Sequence, residues 1–448
     1  MKKYKILLDK LKLLFFGYKS KLSRKNIDHY NHNEKNIIVY NVHNSLPETN
    51  NGYATRTHTI AKAIQSEGIE VKVVTRAAFP LDFNFLKEYH NNEELYIVDN
   101  IQYFRLKENA YYLGRVSDSQ YLDRYVELLI RFSQEQNATL LHSASNYLNG
   151  LAGVTSARML NIPSIYEVRG FWEITKASRE PTFKNSIGYK LQKKLEIQAC
   201  QDATSIIALS EVVKEELIDR GIKKDKIYVV PNGVDTDSLK PLKKNMSMID
   251  RLALTDKFVI GFIGSVVDYE GLKLLVEAAK KIDKQYQDKF RYLIVGDGND
   301  LEGLKRKVKE YKIEKLFIFV GRVPYEDVEK YYSVIDIACY PRLDWEVCRI
   351  VSPKKPFEAM AYGIPIVSSS VRANSYFIED GVNGLVHEVE NVDSLKDKIL
   401  VLYKNEKLRN KIAVNAREWV VENRDSKNTG KLLRNIYKET KEKFFGNI

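Results

Sequence analysis

The segment Tyr340–Ser370, YPRLDWEVCRIVSPKKPFEAMAYGIPIVSSS, gathers residue types that bind a diphosphate. A strand is expected to end near Tyr340, and the loop after it carries Arg342, Arg349, Lys354 and Lys355. Pro356 suits a first helical turn, Glu358 lies in that turn, and AMAYG continues a short helix closed by Gly363. A helix N-terminus ringed by cations favours a pyrophosphate. A carboxylate at its edge can accept hydrogen bonds from vicinal ribose hydroxyls. The plain alternative is a solvated lysine loop in which Glu358 only complements the helix dipole.

Three further loops carry weaker signals. NNGYATRTHTIAKAI (Asn50–Ile64) places Asn51 and Gly52 at a turn that opens a helix, where close backbone approach and an anion are both favoured. FIGSVVDYEGLKLL (Phe262–Leu275) sets Gly264 at a strand end and Gly271 near a helix start. IVGDGNDLEGL (Ile294–Leu304) is a strand, a glycine turn and a helix, but it lacks the third glycine of a dinucleotide fingerprint, so a nicotinamide cofactor is weakly supported. Asp235 and Asp237 in VDTDS have the spacing of a metal-binding carboxylate pair, and they read more simply as turn and helix-cap residues.

These loops need a scaffold, and the chain supplies an alternating one. Strands are expected at Asn36–Val42, Glu70–Thr75, Ile101–Leu106, Ala138–His142, Ser164–Val168, Thr204–Ala208 and Ile227–Val230, with helical patterns between most of them. After a polar, lysine-rich stretch near Ser238–Thr255 the series restarts at Phe258–Ile263, Arg291–Val295, Leu316–Val320, Ile335–Cys339, Ile364–Ser368 and Gly384–His387. Continuous apolar runs such as FVIGFIG suit parallel sheets covered on both faces. The expected fold class is α/β: two Rossmann-like, doubly wound domains facing an interdomain cleft, the default binding site.

Composition narrows the class. The 448 residues are 44% hydrophobic and 11% aromatic, which allows well-filled cores and argues against global disorder. No run of about 18 uncharged apolar residues occurs, so a spanning helix is not expected. The three cysteines, Cys200, Cys339 and Cys348, are too few and too scattered for a disulfide framework or a CxxC metal site, and fit a reducing cytoplasm. Residues 1–25 hold nine basic residues (including Arg24 and Lys25) against Asp9 alone, a net +8 of the chain's +12. Their apolar residues recur at Tyr4, Leu7, Leu8, Leu11, Leu14, Phe15, Tyr18 and Leu22. That pattern reads as a helix on an anionic membrane surface, at the cytoplasmic face. A helix packed on the protein or a disordered basic tail are the alternatives. A signal peptide fits less well because Lys10 and Lys12 interrupt the apolar stretch. No nucleic-acid module accompanies the patch, so nucleic acid is not an expected partner.

With PNGVD (Pro231–Asp235), VGDGND and EDGVNGLV (Glu379–Val386), the segment PFEAMAYGIPIVSS resembles glycosyltransferase family 4, the retaining GT-B enzymes, from about residue 36 onward. The resemblance implies an N-terminal acceptor domain over 36–240, a nucleotide-sugar domain over 241–424, and a last helix within 425–448 that packs back onto the first domain, behind a basic extension at 1–35. It implies transfer of a sugar, from a UDP-sugar on family frequency, to a glycan or lipid-linked acceptor in a bacterial surface polysaccharide, with no cofactor and no metal. Glu358 would hold the ribose. Lys355 matches a P-x-K-x-x-E pattern with Pro353 and Glu358. The family's first glutamate falls on Ile350, and its phosphate-binding Arg and Lys fall on Ser265 and Glu270. Arg342, Arg349 and Lys355 are the expected replacements. The donor contacts implied are therefore Gly52, Asn232, Gly264, Ser265, Arg322, Arg342, Arg349, Ile350, Val351, Ser352, Lys355 and Glu358. His142, at the end of the strand in TLLHSASNYLNG, is the expected catalytic histidine beside Lys355 and Glu358. Asn51, Tyr53 and Arg56 of the first loop, with Arg169, Trp172 and Glu173 of YEVRGFWE (Tyr166–Glu173), are the expected acceptor contacts. A nucleotide-binding chain without turnover, or a subunit of an assembly complex, is the alternative that Ile350, Ser265 and Glu270 motivate. A GT-B-like epimerase or phosphorylase is a further one, and no pyridoxal-lysine motif supports the latter.

Overall fold

The computed structural model describes residues 2–22, 36–81, 93–108 and 115–446. It divides into two compact units, Met1–Pro231 with Ser426–Ile448, and Asn232–Asp425.

The first unit holds eight strands: β1 (Ile37–Val42), β2 (Glu70–Thr75), β3 (Leu95–Val98), β4 (Ile101–Arg105), β5 (Leu140–Ala144), β6 (Ser164–Val168), β7 (Ser205–Ala208) and β8 (Ile227–Val229). Their order is β3-β4-β2-β1-β5-β6-β7-β8, parallel except for β3, which runs antiparallel to β4. The sequence reading places every strand but β3, whose four residues LYIV alternate between exposed and half-buried at the sheet edge. The strand expected at Ala138–His142 lies two residues later, and Thr139 just before it exchanges hydrogen bonds with Ile37 at the sheet entry.

Alternation along β1 loads both faces of this sheet. Ile38, Tyr40 and Val42 share a core with Ile60 and Ile64 of helix Gly52–Ser66 and with Leu433, Ile436 and Tyr437 of helix Ser426–Phe445. Asn41 points the other way, where Tyr125 of helix Asp118–Glu135 donates to its Oδ1 and its Nδ2 donates to the Asn149 carbonyl of helix Tyr147–Leu160 (3.2 Å). Helix Asp118–Glu135 starts at a capping box, with Ser117 and Gln120 exchanging side-chain and backbone bonds.

Helix Lys2–Phe16 belongs to this unit and packs on helices Asp118–Glu135 and Ile187–Asp202. Leu13 and Tyr18 are buried, the Tyr18 hydroxyl donates to Asp123 (2.9 Å), and Asp9 accepts the Ser119 N–H (3.2 Å). Gly17 ends the helix at φ +71°, and an added Cβ there would meet the Gln198 amide at 2.7 Å. The same helix leaves Leu7, Leu8, Phe15 and Phe16 exposed, the last two at 69% and 76%. Arg24 and Lys25 of the basic segment lie outside the described residues.

The second unit is a six-stranded parallel sheet: β9 (Phe258–Ile263), β10 (Phe290–Val295), β11 (Phe317–Gly321), β12 (Ile337–Tyr340), β13 (Ile366–Ser369) and β14 (Leu385–His387), in the order β11-β10-β9-β12-β13-β14. Its buried strand residues form one core with Leu275 and Val276 of helix Leu272–Lys281, with Leu304, and with Leu395 and Ile399. Residues 232–240 belong to this unit rather than to the first. Val234 bridges to Asp425, and Arg417 donates to the Leu239 and Thr236 carbonyls (2.5 and 2.7 Å).

Candidate functional site

In the second unit, the ends of β9 and β12 bring together two loops that are distant in sequence. Lys355 opens helix Lys355–Ala361, and its Nζ lies 2.9 Å from Glu270 Oε1 and 3.5 Å from the Ser265 carbonyl, over the ring of Phe262 (4.7 Å). The stem of Lys355 crosses Gly264, where φ is +143° and a Cβ would collide with the lysine methylenes, so only glycine admits this crossing. The Tyr340 hydroxyl donates to the Lys355 carbonyl (3.1 Å).

Arg342 is buried on the same side. Its Nη1 donates to the Val351 carbonyl (2.8 Å), and its Nε stands 3.9 Å from Glu270 Oε1. Burial alone would raise the Glu270 carboxyl, but Lys355 and Arg342 outweigh it and hold the group below the usual carboxylate range. Glu358, one turn into the helix, accepts from Tyr332 (3.3 Å) and faces Lys354 (3.8 Å). The structure thus brings Gly264, Ser265, Arg342, Val351 and Lys355 to one place, with Glu358 on the adjoining turn.

The remaining expected donor residues sit differently. Arg349 is half exposed and bonds Asp344 through two nitrogens (2.7 and 2.6 Å), so its charge is already paired at the surface. Arg322 is exposed just after β11. Ile350 is buried and apolar and has no side-chain atom that can bond a ligand. Asn232 is buried, and its amide donates to the Ser352 carbonyl (3.3 Å). Asp235 caps its own turn, accepting from Asp237 N–H (3.2 Å), Ser238 N–H (3.0 Å) and the Ser238 hydroxyl (2.8 Å). Among the described residues, no three His, Cys, Asp or Glu side chains converge as metal ligands.

In the first unit, two of the expected acceptor residues, Arg56 and Arg169, meet at one buried carboxylate. Glu167 of β6 receives Arg56 Nε (2.7 Å) and Arg169 Nη2 (2.9 Å), and the Tyr40 hydroxyl donates to it (2.7 Å). Burial opposes its ionisation, and the two arginines more than offset that, so its carboxyl titrates far below the usual range. Arg169 also donates to the Tyr53 carbonyl and the Thr57 hydroxyl (2.9 Å each) and stacks on the Tyr53 ring (4.3 Å). Arg56 donates to the Val230 and Pro231 carbonyls (2.8 and 3.0 Å).

These positions correct several expectations. His142, expected at the donor sugar, is fully enclosed. Its Nδ1 pairs with the Tyr437 hydroxyl (2.9 Å), and Tyr40 lies against its ring (4.5 Å). Burial pushes its pKa down to about 4, against the partial counter-effect of Glu167. It is a neutral core histidine. Arg56, Arg169 and Glu173, expected on the acceptor, are buried in ion pairs, Glu173 with Arg220 (2.7 Å). Gly52 needs no special conformation, since an added Cβ would meet open space. Of the site residues expected in the first unit, Asn51, Gly52 and Trp172 are exposed and Tyr53 is half-buried. Asn51 caps the helix by accepting the Ala54 N–H (2.9 Å).

Sequence reasoning passed over His43. Its ring lies edge-on to Trp172 (4.7 Å), and its backbone N–H donates to the Tyr53 hydroxyl (2.9 Å). Its place directly after β1 was the available signal.

Comparison with known proteins covers most of the chain. The family described as Glycosyltransferase Family 4 matches residues 50–238, and the family Glycosyl transferases group 1 matches residues 247–419. An uncharacterised glycosyltransferase of Methanocaldococcus jannaschii is 23% identical over 258 residues, 58% of this chain and 64% of that protein. The UDP-Gal:alpha-D-GlcNAc-diphosphoundecaprenol alpha-1,3-galactosyltransferase of Escherichia coli is 24% identical over 332 residues, 73% of this chain and 81% of that one. Among solved structures, HepE of Anabaena in complex with UDP and glucose superposes with a TM-score of 0.70 at 16% identity, over 90% of this chain and 99% of that one.

Proposed function

We propose, from the premise that this chain belongs to the GT-B glycosyltransferases of the family 4 type, that it transfers a sugar with retention from a UDP-sugar to a lipid-linked or glycan acceptor of a bacterial surface polysaccharide. One observation carries the donor reading: Lys355 crosses Gly264 to the end of β9, with Arg342 beside it and Glu358 one turn further on. Fixed cations at a strand end can meet a diphosphate, and a carboxylate one turn away can meet ribose hydroxyls.

In this reading the bond from the anomeric carbon to the diphosphate oxygen breaks as the acceptor oxygen bonds to that carbon on the same face. The departing phosphate oxygen takes the acceptor's proton. Negative charge grows on the diphosphate, and Lys355 and Arg342, held in place before the reaction, stabilise it with little reorganisation. No protein nucleophile is needed, which agrees with a buried His142. Counter-charge comes from these cations rather than from a metal, and Asp235 is already used as a turn cap.

UDP is favoured because HepE is solved with it, and a lipid-linked acceptor because the Escherichia coli relative is named for one. The exposed Leu7, Leu8, Phe15 and Phe16, set among lysines, suit a bilayer surface that carries such an acceptor. Among the described residues, no helix is long and apolar enough to cross a membrane, so the attachment proposed is peripheral.

Thermal stabilisation by UDP and by GDP, in the wild-type chain and in Glu358→Ala, tests the donor site. The expected result is a shift with UDP that the variant loses. An equal shift in both chains would remove Glu358 from the site, and a shift with GDP alone would reassign the base.

A further inference from the structure

The chain passes between its two units at Pro231–Asn232 and again at Asp425–Ser426. Inside the second unit, the segment that follows the first crossing is tied to helix Lys355–Ala361 at both of its ends. Ahead of the helix, the Asn232 amide donates to the Ser352 carbonyl (3.3 Å). At its far end the tie is Arg417. There the Ala359 and Met360 carbonyls accept from the Ile364 and Gly363 N–H groups (2.9 and 3.0 Å), and the Ala361 carbonyl accepts from Arg417 Nη1 (2.6 Å). The same Nη1 donates to the Leu239 carbonyl (2.5 Å), and Nη2 donates to the Thr236 carbonyl (2.7 Å). One guanidinium thus joins the last carbonyl of the helix to two carbonyls of the entry segment.

The exit is built into the same cluster. Arg417 lies on helix Glu406–Arg424, and Arg424 at its end places its guanidinium over the ring of Phe357 in helix Lys355–Ala361 (5.4 Å). The Arg424 carbonyl accepts the Val234 N–H (2.9 Å), and the Thr236 hydroxyl donates to Asp425. A guanidinium is planar and its N–H groups point in fixed directions, so three bonded carbonyls are fixed relative to one another. The Asn232 contact is a single long bond between neutral groups, whereas the Arg417 bonds are three, short and charge-assisted. Arg417 is therefore the stronger of the two ties.

We infer that Arg417 is a positioning residue that couples helix Lys355–Ala361 to the entry segment, so that a nucleotide held at Lys355 and Glu358 also stiffens residues 234–239. The inference rests on the donor site proposed at those two residues. An opening of the entry segment that breaks the Arg417 bonds also frees the end of the helix, and a nucleotide that binds only the closed helix suppresses both. Occupancy of the donor site is then registered where the chain enters the second unit.

Hydrogen exchange of the wild-type chain, Arg417→Met and Arg417→Lys tests it, each measured free and with UDP at about ten times its own Kd from isothermal titration. At that concentration an opening that releases the nucleotide is suppressed about tenfold. In the wild type, exchange should slow by about that factor in 355–363 and also in 234–239, where the Val234 and Leu239 N–H groups are hydrogen-bonded. In Arg417→Met the slowing in 355–363 should remain, and that in 234–239 should fall below about twofold. The retained slowing shows that the variant's site is folded and occupied, which a general loss of structure would not leave. Arg417→Lys keeps the charge without the planar fork. It should show the same split, and it decides the matter should Arg417→Met not fold. Slowing in 234–239 that persists in the variants, that is missing from the wild type while 355–363 slows, or a loss of UDP binding in both variants would overturn the inference and leave the donor site standing. A wild-type chain that binds no UDP, or binds it without slowing 355–363, would overturn the donor reading, and this inference with it.

Discussion

At His142, complete burial and the nearby Arg169 and Arg56 outweigh Glu167 and keep the imidazole neutral, with a pKa of about 4 against an ordinary 6.5. In the unfolded chain the same ring takes up a proton between those two values. The unfolded state then binds more protons than the folded one, so stability falls as pH drops from about 6.5 towards about 4. His43, lowered by burial and by Arg76, acts in the same direction. Denaturant unfolding across this range should show the loss, and His142→Gln should lose less on acidification than the wild type. Identical pH dependence in the two chains would contradict the neutral assignment. The residue type at 142 was legible in the sequence, and its role was not. A histidine at a strand end faces a ligand or a core according to what packs over it, and Tyr437 lies almost three hundred positions away.

Among the elements, helix Ser426–Phe445 has the clearest energetic consequence. It returns the chain to the first unit and lays Leu433, Ile436 and Tyr437 against Ile60 and Ile64. Gly430 allows the approach, since a Cβ there would stand 2.5 Å from the Ala63 carbonyl. Leu433→Ala removes a side chain with no exposure and should cost about 2–5 kcal/mol, read from the denaturant midpoint at an unchanged slope. A cost near zero would mean that the helix does not contribute to the core. The strands, by contrast, were mostly legible, because buried parallel strands are short, continuous apolar runs between polar helical patterns. The edge strand Leu95–Val98 escaped because it is half-solvated and lacks that contrast.

On the scale of the whole molecule, charge and apolar exposure coincide at one end of the chain. Residues 1–25 hold +8 of the +12, and helix Lys2–Phe16 presents Leu7, Leu8, Phe15 and Phe16 together with exposed Lys5 and Lys12. The protein should cosediment with vesicles rich in anionic lipid and much less with neutral ones, and added salt should weaken the binding. Replacing those four apolar residues by glutamine should abolish it without lowering thermal stability, since none of them lies in the core. Equal binding to neutral and anionic vesicles would overturn the charge argument, and an unchanged interaction in the variant would overturn the apolar one.

The sequence by itself determined the alternating α/β architecture, the restart of the strand series, the absence of a long apolar span and the chemical character of the segment around Lys355 and Glu358. Periodicity, composition and short-range motif order are local properties and survive in one dimension. Only the tertiary structure decided which cations are already paired. Arg349 bonds Asp344, Arg56 and Arg169 close on Glu167, and Lys355 spans eighty-five positions to reach Glu270. A charge acquires its function from its partner and its solvent exposure, and both are set by contacts between segments that the linear order leaves far apart.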